Sequence, residues 1–342
     1  MKLRITLAIV LVVLAVGMTL LIGMLRKSSS DQATSPLALN PLRSTLVGSG
    51  AIMPLPTVPD LPADKVALGK RLFFETRLSS NDTIACASCH KLDQGGSDRQ
   101  QVSVGIDGKK GQVNAPTVFN SSLNFVQFWD GRAASLEEQA AGPVHNPLEM
   151  GSNWPEVIAK LSKDDRYRQE FNRIYKAGIS GETIVDAIAT YERTLLTLNS
   201  PFDRYLRGDK EALNSLEHAG LRLFLDYGCA SCHQGAALGG NMFQQFGVMD
   251  NYFENRAPSK ADLGRFNVTG LVSDKHVFKV PSLRNVGVTP PYFHDGSVES
   301  LEEAVVVMGR YQLGREITGD DVKALAAFLR TLTGEWEGKK LQ

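Results

Sequence analysis

The chain has 342 residues, room for about two domains of roughly 150 residues each. Hydrophobic residues make up 43% and charged residues 22%, which excludes bulk disorder, collagen and coiled coil. Lys+Arg and Asp+Glu both total 37, so the chain lacks the basic balance of a nucleic-acid binder.

Ile5 to Leu25 is a run of 21 residues without a charge. As a helix it spans about 31 Å, enough to cross a bilayer. Signal peptides usually have a shorter apolar region of about 7–15 residues, and no small-residue cleavage site follows Leu25. Residues 1–27 are therefore expected to be an uncleaved transmembrane anchor, with a removed signal segment as the alternative. Lys2 and Arg4 before the run balance Arg26 and Lys27 after it, so charge does not orient it. Without residues 1–27 the chain keeps 33 basic against 37 acidic side chains, a mild acidity that gives weak support for a basic partner. Residues 28–50, rich in Ser, Pro and small residues, read as a linker.

Apolar spacing predicts helices over Pro62–Phe74, Glu182–Leu198, Ala212–Leu225, Leu301–Met308 and Asp320–Leu332, so the fold is expected to be mainly α. Thr318 or Gly319 is placed to cap the last of these, with Asp320 and Asp321 at its positive end. All four cysteines lie in Cys86-Ala-Ser-Cys-His90 and Cys229-Ala-Ser-Cys-His233, identical and 143 residues apart. Gly69-Lys-Arg-Leu-Phe-Phe74 precedes the first and Gly220-Leu-Arg-Leu-Phe-Leu225 the second. Further echoes stand 165 residues apart: Pro116-Thr117 with Pro281-Ser282, Phe128-Trp-Asp-Gly131 with Phe293-His-Asp-Gly296, and Ser135-Leu-Glu-Glu138 with Ser300-Leu-Glu-Glu303. Several matches in one order imply a duplicated domain, with a 22-residue insertion in the second copy within Gln234–Val280. The junction is expected near Asn199-Ser-Pro201.

C-x-x-C-H is the attachment motif of c-type haem. The thiols add to the vinyl groups, and the adjacent histidine is placed to ligate iron. A zinc site would need four ligands converging from motifs 143 residues apart, and a redox dithiol has no use for the histidine. His90 and His233 are thus the expected proximal ligands. Covalent attachment of this kind occurs outside the cytoplasm, which places the body in the periplasm. His145, His218, His276 and His294 remain, each more often structural than ligating. Met308 offers a thioether for the second iron, or else is a core residue of its helix; Met/His ligation raises the reduction potential.

At these residues the chain resembles the bacterial diheme cytochrome c peroxidases over about residues 50–335. The resemblance rests on both CASCH motifs, on Asn114-Ala-Pro-Thr-Val-Phe-Asn120, on Phe128-Trp-Asp-Gly-Arg132, on Glu138-Gln-Ala-Ala-Gly-Pro143 with Glu149-Met150, and on Pro281-Ser-Leu-Arg-Asn285 through Tyr292-Phe-His-Asp-Gly296 to Met308. The quinone-cofactor-maturing diheme enzymes share this scaffold. The resemblance implies two cytochrome c-like domains, each with one covalent haem c. Residues 51–199 would hold the peroxidatic haem, 200–335 the electron-transfer haem, and 336–342 a tail.

On this pattern His233 and Met308 would ligate the high-potential, electron-entry haem. Methionine at 308, where the quinone-maturing enzymes have tyrosine, favours the peroxidase branch. Glu149 matches a distal glutamate and Gln139 a distal glutamine. Breaking the O–O bond needs a proton moved between the two oxygens, which a carboxyl above open iron can do. Trp129 matches a tryptophan between the haems and is also a plausible core aromatic. Asn114, Thr289 and Pro291 match a calcium site with one amide and two carbonyl oxygens, the hard ligands calcium prefers. A homodimer and a small donor, a cytochrome c or a cupredoxin, are further implications.

One position departs from the family. Many of these peroxidases carry a histidine in the loop before the Asn114 motif, which caps the resting peroxidatic iron. Here that place falls on Ile106, followed by Asp107 and Gly108, and no histidine lies between His90 and His145. The expectation is an open first haem needing no reductive activation, with His145 as the substitute cap to test. The alternatives are a diheme enzyme that oxidises side chains of a protein partner, and an electron carrier without catalysis.

Overall fold

The computed structural model describes residues 51–257 and 259–342. The expected anchor and linker lie outside the described residues, among which no helix is long and apolar enough to cross a membrane. The described residues belong to one compact, mainly helical unit. The longer helices are α1 (Ala63–Phe73), α2 (Leu136–His145), α3 (Trp154–Leu161), α4 (Asp165–Ile174) and α5 (Gly181–Glu192) in the first half. The second half has α6 (Pro201–Leu206), α7 (Ser215–Asp226), α8 (Leu301–Val307) and α9 (Gly319–Arg330). Antiparallel ribbons β1–β2 (Phe243–Gln245 with Val277–Lys279, Phe243 opposite Lys279) and β3–β4 (Glu335–Trp336 with Lys339–Lys340) complete the regular structure.

Local chemistry sets the helix starts. The echoed Ser-Leu-Glu-Glu segments are both N-terminal caps: Ser135 Oγ accepts from Glu138 N–H, and Ser300 Oγ from Glu303 N–H, each at 3.2 Å. Ser180 with Thr183, and Asn214 with Glu217, close capping boxes on α5 and α7. Thr318 is the N-cap residue of α9 without a side-chain cap bond, and Asp320 and Asp321 occupy the first turn.

The five expected helices all form, with shifted ends. The one expected to reach Leu198 stops at Glu192. There Thr194 Oγ1 donates back to Tyr191 O at 2.6 Å, and Thr197 N–H turns to Asn120 Oδ1 at 3.0 Å. Leu301–Met308 ends as an α-helix at Val307 and widens into a π turn over Met308–Gln312. Helices α2, α3, α4 and α6 were not anticipated. Pro143 inside α2 reads as a breaker, and most of α4 is charged or polar.

The duplication is physical. In the first half α1 crosses α5 at Gly69, where a Cβ would stand 1.9 Å from Ala187 O and 2.9 Å from Tyr191 Cβ. In the second half α7 crosses α9 at Gly220, where a Cβ would stand 1.9 Å from Ala324 O and 2.7 Å from Phe328 Cβ. Only glycine admits either approach. Asn120 and Asn285 both adopt left-handed backbone (φ 61° and 66°), as do Phe128 and Phe293 (φ 66° and 69°). The two asparagines meet at Thr197, whose Oγ1 accepts from Asn120 Nδ2 at 2.9 Å and from Asn285 Nδ2 at 3.1 Å. All three are fully buried, and they join the halves.

Residues 51–55 run against the second half. Ile52 bridges Gly235, and Leu55 N–H donates to Asp203 Oδ1 at 3.0 Å. Asp203 pairs at 3.0 Å with fully buried Arg284, which also donates to Met53 O and Ala236 O.

Candidate functional site

Each pentapeptide winds into a single helical turn that puts two thiols and a histidine on one short arc. His90 N–H donates to Cys86 O and His233 N–H to Cys229 O, both at 2.9 Å. Nδ1 of His90 faces Gly96 O at 3.3 Å, and Nδ1 of His233 faces Leu238 O at 3.2 Å. The carbonyls of Pro116 and Pro281, the echoed prolines, also bear on the two rings. A ring whose Nδ1–H is held by a carbonyl offers Nε2 as the metal ligand. Burial lowers the pKa of His90, and that of His233 to about 4, so both rings are neutral at pH 7 and able to coordinate. The four cysteines form no disulfide. Burial pushes the Cys89 and Cys229 thiols up to about 11.

Around the second motif a cavity has Cys229, Cys232, His233 and Met308 on its wall. The Met308 thioether comes from the first residue of the π turn, a distortion that often marks functional positions. One imidazole, one thioether and two adjacent thiols on one cavity suit a c-type haem. Among the described residues, neither motif contributes to a cluster of three metal-ligating atoms; the only such cluster is Asp262, His294 and Asp295. That cluster is internally compensated, since His294 Nε2 meets Asp262 Oδ1 at 2.7 Å and Asp295 pairs with Arg256. The two motifs do not converge on a shared ligand cluster among these residues.

The same cavity wall includes Asn114, Trp129, Thr289 and Pro291. Trp129 Nε1 donates to Asn114 O at 3.0 Å, so the indole links the first half to the second motif's cavity. Asn114 Nδ2 donates to Gln100 O at 2.9 Å, which fixes the amide.

Beside the first motif stands Glu149, half-buried in the turn after α2. Asn146 Nδ2 donates to its Oε1 at 2.6 Å. Burial raises the Glu149 pKa against the opposing pull of that hydrogen bond and of Arg132. After burial itself, the Glu149 charge is among the influences that raise the Cys86 and Cys89 thiols, which puts the carboxyl near the motif. Ile106 is buried, and its N–H donates to Glu149 O at 2.9 Å. A Cβ on Gly105 would come 2.1 Å from Leu148 O and 2.6 Å from Glu149 O. The loop carrying Ile106 therefore docks on the backbone of Glu149. Gln139, half-buried on α2, makes no side-chain hydrogen bond among the described residues.

The remaining histidines have contacts of their own. His145 Nδ1 bonds to Ala141 O on its own helix, and its ring packs edge-on to Trp154. His276 stacks on Phe253, and His218 meets Tyr205 edge-on.

Two groups at these sites escaped the sequence reading. Asn146, which holds Glu149, carries no pattern of its own. Glu192 ends α5 and is 4% exposed. Burial pushes its pKa up to about 8, and its charge follows burial as a cause of the raised Cys86 thiol. Glu192 follows Tyr191 as Leu329 follows Phe328, and Leu329 lies on the second cavity's wall. Aligning the echoed helix crossings would have exposed the pair.

A family model described as di-haem cytochrome c peroxidase matches residues 63–211. The cytochrome c551 peroxidase of Nitrosomonas europaea is 47% identical over 291 residues, 85% of this chain and 86% of that protein. The cytochrome c peroxidase Ccp of Escherichia coli is 49% identical over 284 residues, 83% of this chain but only 61% of that longer protein. Among solved structures, a MauG-like protein associated with microbial copper homeostasis superposes with a TM-score of 0.74 at 30% identity, covering 83% of this chain and 94% of the other.

Proposed function

The chain belongs to the di-haem cytochrome c peroxidase family of oxidoreductases, which implies two c-type haems, and from that premise we propose that it reduces hydrogen peroxide to water at its first haem. The overall reaction takes one peroxide, two protons and two electrons to two waters. Cys86, Cys89 and His90 would hold a haem, which would supply the iron redox chemistry that peroxide reduction needs. Residues 51–199 carry this peroxidatic half and 200–335 the half where electrons enter.

Glu149 is the proton carrier. Its carboxyl has a raised pKa through burial, so it can hold a proton and release it within one cycle. Asn146 orients it, and Gln139 on α2 assists. Ile106 takes the place of a capping histidine and has no atom able to bind iron. A haem held by His90 would receive no ligand from this loop and would need no reductive activation. His233 and Met308 would hold the second haem's iron through an imidazole and a thioether, and Trp129 would couple the two sites. The carbonyls of Thr289 and Pro291 with the amide of Asn114 supply hard oxygens for one calcium ion. The electron donor is a small cytochrome c or cupredoxin in the periplasm, where residues 1–27 tether the enzyme.

The observation that carries the reading is a half-buried carboxyl of raised pKa beside Cys86 and Cys89, with Ile106 docked on its backbone. Glu149→Ala should lower peroxide turnover by about 10²–10⁴-fold with both haems still attached. Undiminished turnover removes Glu149 from the mechanism. An EPR spectrum of the oxidised protein in which both haems are low-spin and six-coordinate refutes the open site.

A further inference from the structure

Lys279 ends β2 and is only 6% exposed. Its backbone N–H donates to Trp129 O at 2.8 Å, and the residue lines the cavity that also has Cys229, His233 and Met308 on its wall. Burial alone pulls its pKa down to about 8, and no charged neighbour opposes that pull. No hydrogen bond or ion pair forms at Nζ among the described residues. A buried ammonium without a counter-charge costs several kcal/mol.

The charged groups on the segments around β2 are each engaged elsewhere. Asp130 pairs with Arg132 at 3.0 Å. Arg265 lies over the Phe243 ring at 3.9 Å and faces Asp274. His294 is held by Asp262, and Arg284 by Asp203. Of the cations among the described residues that line the cavity, Arg284 has Asp203 and Lys279 has no acceptor on the protein.

We infer that Lys279 binds a carboxylate of the group filling this cavity, namely a propionate of the haem attached to Cys229 and Cys232. The inference rests on the haem reading of the second motif. A haem brings carboxylates into a site that excludes water, and each buried anion needs a cation. Lys279 is a positioning residue in this role. By cancelling a negative charge near the iron, it keeps the ferric state from being stabilised and the second haem's potential high.

Spectroelectrochemical titration of the intact diheme protein tests this, with both haems first counted from the absorbance spectrum. Lys279→Met should lower the midpoint potential of the methionine-ligated haem and leave the other haem's in place. Lys279→Arg, which keeps the charge, should hold the wild-type value. A wild-type potential in Lys279→Met overturns the pairing. Should that variant fail to assemble, the wild-type protein decides between pH 7 and 9. A paired ammonium stays charged and gives a level potential. An unpaired one loses its proton near pH 8, so a potential that falls there in wild type and not in Lys279→Arg overturns the inference. A wild-type protein with only one haem attached would instead defeat the haem reading.

Discussion

The two halves cross their principal helices in the same way and then surround their thiols differently. Gly69 against Ala187 and Tyr191 matches Gly220 against Ala324 and Phe328 in kind and distance. One step beyond the crossing, the first half buries Glu192 where the second buries Leu329. The first half adds Glu149, a second carboxyl of raised pKa, and the second half adds the Met308 thioether. Duplication thus conserved the frame while buried carboxyls of raised pKa gathered in one copy and a thioether in the other. Backbone contacts resist change because any Cβ at the crossing strikes a carbonyl, whereas a side chain at a cavity wall can be exchanged without moving the helices.

The strongest test of equivalence is steric. Gly69→Ala and Gly220→Ala should each cost about 3 kcal/mol or more, since the new carbon meets backbone oxygen at 1.9 Å in both halves. Chemical denaturation of the holoprotein measures both. Markedly unequal costs would break the comparison.

A smaller, pH-dependent effect should separate the halves. The Glu192 carboxyl stays protonated in the fold up to about pH 8, while in the unfolded chain it ionises near its ordinary value. Its favourable contribution is full below that ordinary value and is lost as pH rises through about 8. Glu192→Gln should therefore gain on wild type between pH 5 and pH 8, by on the order of 3 kcal/mol. Leu329→Gln should show no such drift. Urea unfolding at both pH values reads this, and a pH-independent difference for Glu192→Gln would show that the carboxyl does not hold its proton.

The smallest effect concerns what joins the halves. Thr197→Val removes the hydroxyl shared by Asn120 and Asn285 and should cost about 1–3 kcal/mol, because two buried amides lose a partner. A single unfolding transition is expected before and after the change, whereas two separated transitions would show that other contacts do not suffice to couple the halves.

Much of this was legible in the sequence because it was written twice. The echoes near Gly69, Pro116, Phe128 and Ser135 each marked a physical device: a helix crossing, a carbonyl bearing on the histidine of a C-x-x-C-H motif, a left-handed turn, a helix cap. The unlegible parts occur once. Glu192 and Lys279 look like ordinary charged residues in amphipathic segments, and only tertiary packing removes them from water. Asn146 holds Glu149 through a three-residue turn with no spacing to announce it. Thr197 stands 77 residues from Asn120 and 88 from Asn285, so no local pattern predicts their meeting. Helix α2 was obscured by Pro143, although its Ser135 cap lay in plain view.

The strap of residues 51–55 gives the chain a mechanical asymmetry. These residues open the first half in sequence yet are fastened to the second by the Arg284–Asp203 pair. Tension arriving through the preceding polypeptide would therefore load the methionine-bearing half first, and α1 with the Cys86–Cys89 turn that follows it would be shielded from it until that buried clasp gave way.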